Sequence, residues 1–76
     1  MNKARRKTIA NSLEKLQASL PILKNAMAAE KEAYAKIPDS EDNEDRISAM
    51  DDLIDNLDSA ISSLEDAINT LESADF

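Results

Sequence analysis

The chain has 76 residues, a net charge of −7, and no cysteine, histidine or glycine. That length makes one domain with a small core, of the kind that usually leans on a disulfide, a metal or a partner chain. The composition excludes disulfides, thiolate chemistry and the commonest metal ligands, and no apolar stretch approaches membrane-spanning length.

The opening Met-Asn-Lys-Ala-Arg-Arg-Lys is polar and basic, without the apolar segment of a secretion signal. A cytoplasmic location is expected, the host-cell cytoplasm if the chain is phage-encoded. An apolar heptad follows, with Ile9, Leu16, Leu23, Glu30 and Ile37 at d and Leu13, Leu20, Met27 and Tyr34 at a. It predicts helix 1 over about residues 3–37. Pro21 falls at b, on the outer face, where it removes one backbone hydrogen bond at about 3 kcal/mol. The expectation is a kinked helix rather than a broken one.

Residues 38–43, Pro-Asp-Ser-Glu-Asp-Asn, form the predicted turn, because proline disfavours helix at the residue before it. Ser40, Asp42 and Asn43 are all competent N-caps, and Glu44 and Asp45 suit the positive end of the next helix.

Helix 2 is predicted over about 43–74. Its heptad has Ile47, Ile54, Ile61 and Ile68 at a, and Met50, Leu57, Leu64 and Leu71 at d. The e sites Asp51, Asp58, Glu65 and Glu72 are all acidic, and three successive g sites, Ala60, Ala67 and Ala74, are small.

A short connection makes the helices antiparallel neighbours. Facing core residues then sum to a constant 84, from Ile37 with Ile47 through Leu23 with Ile61 to Leu13 with Leu71. In that register Lys31 faces Asp51, Lys24 faces Asp58 and Gln17 faces Glu65 along a charged seam. The opposite seam is small and apolar. The halves differ in charge: residues 1–37 balance to +5 and residues 38–76 to −12. The expected fold is all-α, an antiparallel two-helix hairpin with coiled-coil packing.

The segments MNKARRK, AYAKIPDSEDNEDR across the turn and DNLDSAISSLEDAI in helix 2 resemble a group of small acidic two-helix proteins. Members of that group are mostly uncharacterised and are encoded by prophages and mobile elements of Gram-positive bacteria. The chain departs from it at Pro21 and at Ile47, where the group would have glycine. The resemblance implies a helical hairpin of phage or mobile-element origin and carries over no activity and no functional residue. Small acidic proteins of such elements include inhibitors of host defence nucleases.

Two surfaces are candidate sites. Asp51, Asp52, Asp55, Asp58 and Asp66, with Glu65 and Glu72 beside them, form an acidic face on helix 2. Carboxylates so arrayed can stand in for phosphates against a basic nucleic-acid groove; a solvated face partly neutralised by helix 1 is the plainer reading. The second surface is the uncharged seam of Ile22, Ala26, Ala33, Leu53, Ala60 and Ala67, which suits a second hairpin and a homodimeric four-helix bundle.

Other features favour structural readings. The turn acids serve capping and solubility, since they lack the central glycine of a calcium loop. Lys3, Arg5, Arg6 and Lys7 are expected to pair with Glu72, Asp75 and the negative end of helix 2. Glu30 is expected to reach Lys31, Arg46 or another chain. Tyr34 belongs to the core with its hydroxyl at the rim, and Phe76 is expected to pack on Ile9.

The function expected from the sequence is that of a non-enzymatic interaction protein that binds a host protein. Inhibition of a host defence nuclease by charge mimicry is one form of it. A structural dimerisation or scaffold module is one alternative, and a nucleic-acid-associated protein using the basic N-terminal stretch is the other. No catalytic residue, metal or cofactor is expected, nor a membrane or direct nucleic-acid partner. A nuclease or another nucleic-acid-binding protein is the expected kind of partner.

Overall fold

A computed structural model describes residues 2–38 and 40–74. Two long helices, α1 (Lys3–Ala35) and α2 (Glu44–Ser73), are joined through a single 3-10 turn, Glu41–Asn43. The described residues contain no strand. The helices lie side by side as a hairpin measuring 59 × 15 × 14 Å.

α1 opens on Asn2, whose Oδ1 accepts from the Arg5 backbone N–H at 2.9 Å. This satisfies one of the donors that a helix start leaves without a partner. The helix runs unbroken through Pro21, whose side chain faces water. It ends at Ala35, two residues short of the expected Ile37. The N–H groups of Lys36 and Ile37 turn back to the carbonyls of Ala33 and Tyr34, each at 3.2 Å. That tightened last turn absorbs the restriction that Pro38 imposes on Ile37.

Of the three candidate caps for α2, Asn43 takes the N-cap position, but its side chain makes no cap hydrogen bond. Its amide nitrogen instead donates to the Pro38 carbonyl and the Ser40 hydroxyl, both at 3.1 Å. The side chain ties the connection together from inside. Glu44 and Asp45 stand in the first turn of α2, where their charge complements the helix dipole.

Burial follows the heptads. On α1 every a and d residue from Ile9 to Tyr34 is half-buried and the side chains between them are exposed. On α2 the same holds from Ile47 to Leu71 except that Glu65, at e, is also half-buried, and Ile61 and Ile68 sink to 3% and 5% exposure. Those two are the only fully buried side chains among the described residues. Each helix covers one flank of the other and leaves its remaining flank open to water.

Candidate functional site

The tip of the hairpin fixes the register. Tyr34 and Ile37 from one side and Ile47 from the other line one open depression beside the turn. From that layer the helices run outward at 1.5 Å per residue.

Among the described residues, Lys24 forms the cross-helix ion pair, with its Nζ 3.9 Å from Glu65 Oε1 and both side chains about half exposed. This corrects the expectation that Lys24 meets Asp58. Helical side chains lean toward their own N-terminus. Lys24 therefore leans away from the turn, and Glu65 leans toward it, so they converge. Asp58 leans toward the turn and away from Lys24. The same divergence separates Lys31 from Asp51, and among the described residues no ion pair joins them. The other ion pair, Lys36 with Glu32 at 3.3 Å, lies within one helix turn.

The acidic face is laid out along α2. Asp51, Asp52, Asp55, Asp58 and Asp66 are all exposed, and none is ion-paired among the described residues. With Glu65, which is half-buried and paired with Lys24, they set six carboxylates along about 22 Å of helix, a mean step of about 4.5 Å interrupted by a gap of about 10 Å between Asp58 and Glu65. One strand of B-form DNA carries a charge every ~3.4 Å of axis.

The second surface runs along the other side. Ile22 is 67% exposed and Leu53 44%, the two large apolar side chains left in water among the described residues. Ala26, Ala33, Ala60 and Ala67 are exposed between them. From Ala49 to Thr70, every α2 residue at the c and g positions of this side is uncharged.

Four hydroxyls on the same side were not singled out from the sequence. Thr8, Ser12, Ser19 and Thr70 donate to the carbonyls four residues back, of Ala4, Thr8, Lys15 and Asp66, at 2.8–3.1 Å. The signal was available: a Ser or Thr inside a helix can bond back onto its own preceding turn.

The remaining candidates are dispersed. Glu30 is half-buried but makes no ion pair with Lys31 or Arg46 among the described residues. Arg5, Arg6 and Lys7 are exposed and make none with Glu72. Asp75 and Phe76, on which the rest of that expectation and the packing against Ile9 depend, lie outside the described residues. A second depression is lined by Asn11, Glu14, Lys15 and Ala18 of one helix alone. Among the described residues, no three acidic side chains gather as a metal would require. Nor is any helix there long and apolar enough to cross a membrane.

Comparison of the chain with protein-family models, curated proteins and solved structures finds no match.

Proposed function

We propose that this chain is a non-enzymatic interaction protein of a phage or mobile element that binds a host protein with the acidic face of α2. The carrying observation is the row of exposed aspartates from Asp51 to Asp66, a single-signed surface that makes no ion pair among the described residues. A basic groove built for nucleic acid would take such a row, and a host defence nuclease has such a groove. The sequence resemblance supports that context. The absence of histidine and cysteine, and the scatter of the remaining carboxylates over open surface, support a role without turnover. In this reading the chain works in the host cytoplasm as a homodimer, two hairpins packed as a coiled-coil-like four-helix bundle.

The test replaces Asp52, Asp55 and Asp66 with Asn together. These side chains point outward, so the circular dichroism of the helices should not change. Protein captured from host lysate in 50 mM salt should be lost from the variant, and lost from the unmodified chain in 500 mM salt. Equal capture by the triple variant removes charge mimicry.

A second reading, a structural dimerisation module, is favoured by the uncharged side carrying Ile22 and Leu53. It predicts self-association as the chain's only binding.

A further inference from the structure

We infer that the uncharged side of the hairpin is covered by a second copy running head to tail, so that the turn of each copy lies beside the open end of the other. This rests on the homodimer reading above and adds the orientation of the copies, the register between them and the charges that select it.

The apolar surface comes first. The whole side of the hairpin, 59 Å by 14 Å, bounds the face at roughly 800 Å², and its uncharged stretch from Ala49 to Thr70 runs about 31 Å, half that length. Its centre is the charge-free surface around Leu53 and Ala60, and its two ends are charged, the layout of a protein interface with an apolar middle and a polar rim. Of its polar side chains, Lys15, Asn56 and Ser63 at c positions make no hydrogen bond or ion pair among the described residues and would need partners from the second copy or water. The hydroxyls of Thr8, Ser12, Ser19 and Thr70 are already bonded to their own helices, and those bonds survive the loss of water.

The register follows from shape. The two large exposed side chains each need a small residue opposite. A twofold axis crossing α2 at Ala60 sets Leu53 against Ala67 of the second copy. Ala60 is level with Lys24 of α1 in the hairpin's own register, so the same axis sets Ile22 against Ala26 of the second copy. One axis position satisfies both large-to-small pairings.

Charge then selects the direction. Residues 21–61 carry four basic and eleven acidic side chains, a balance of −7, while the rest of the chain carries five of each. The whole net charge therefore sits in the half nearer the turn. Copies docked with their turns together would concentrate twice that charge at one end. Head to tail, the axis through Ala60 brings Arg5 and Arg6 beside the turn of the second copy. There the exposed side chain of Asp42 supplies the opposite charge. The basic N-terminal stretch, which has no ion-pair partner among the described residues, finds one between chains.

The chain has no cysteine, so single cysteines report the orientation directly. In the full-length protein at 50 μM under mild oxidation, Ala60→Cys should link into a two-chain species, because both copies of that position sit on the axis. Ser40→Cys, in the turn, should not. Linking through Ser40→Cys, whether alone or together with Ala60→Cys, overturns the head-to-tail orientation while leaving the homodimer standing. If neither links and the unmodified chain sediments as a single chain at that concentration, the second copy is excluded and the homodimer falls with it. The acidic-face reading then still stands on its own triple variant. A second measurement tests the charges. Arg5→Glu with Arg6→Glu should raise the dimer dissociation constant about tenfold in 50 mM salt and little in 500 mM. Adding Asp42→Lys should restore it. An unchanged dissociation constant at low salt, or no restoration, overturns the pairing.

Discussion

Replacing Ile61 with Ala should be the most damaging single truncation in the molecule. The side chain is 3% exposed, the least of any described apolar residue. Returning a fully buried Ile to water costs about 1.5–3 kcal/mol, and large-to-small changes in cores range over ~2–5 kcal/mol once the cavity is counted. Two circumstances hold the value near the bottom of that range. A two-helix hairpin can close over a void from its open flanks, and Ala has the higher helix propensity, returning up to ~0.5 kcal/mol. The expected loss is therefore about 2–3 kcal/mol. In a chain of this size each kcal/mol moves the melting temperature by roughly 4–8 °C, giving a fall of about 10–20 °C. Ile61→Val should lose about 1 kcal/mol. The assay is urea unfolding followed by circular dichroism at 222 nm, at several protein concentrations because self-association shifts the midpoint. A loss below about 1 kcal/mol for Ile61→Ala, or a loss no larger than that of Leu53→Ala in the dissociated chain, would refute the assignment of Ile61 to the centre of the packing.

Two further changes probe α1. Pro21 is exposed and inside a continuous helix, so Pro21→Ala restores one backbone hydrogen bond. After the proline's stiffening of the unfolded chain is subtracted, a gain of about 2 kcal/mol is expected in urea midpoint, and an unchanged midpoint counts against an unbroken helix. Lys24→Gln removes the ion pair with Glu65, whose partners are about half exposed. It should cost under about 0.5 kcal/mol in low salt and nothing in 0.5 M salt, and a salt-independent loss would mean that the lysine stem and not its charge is what matters.

The all-helical hairpin was legible because one period runs through both helices. Isoleucine every seventh residue from Ile47 to Ile68, matched on helix 1, leaves one way to bury the stripe within a single chain, and the half-buried positions are the a and d residues. The ion pairs were not legible in the same way. Layer counting locates backbones, whereas Lys24 and Glu65 meet because long side chains tilt along their helices. The role of Asn43 was hidden for a related reason. A capping residue also bonds within a turn, and here the Pro38 carbonyl and the Ser40 hydroxyl take its amide. The candidate surfaces were legible as sides of helices, one charged and one not. What each side meets is a property of a second molecule, which a heptad does not encode.

The placement of Ile61 and Ile68 has a kinetic meaning. Pairing Ile37 with Ile47 closes a loop of about 10 residues, while pairing Leu16 with Ile68 closes one of about 52. Closure entropy grows as three-halves RT times the logarithm of loop length, so the outer pair starts about 1.5 kcal/mol behind the inner one. The hairpin is thus a zipper sealed at one end, and order should spread outward from the connection. Of its two buried isoleucines, Ile61 sits at the middle and Ile68 in the outer half, where the entropic handicap is largest. Tip layers such as Tyr34 and Ile47, only half-buried, close early because they are near in sequence. The outer layers close later and are held by their packing.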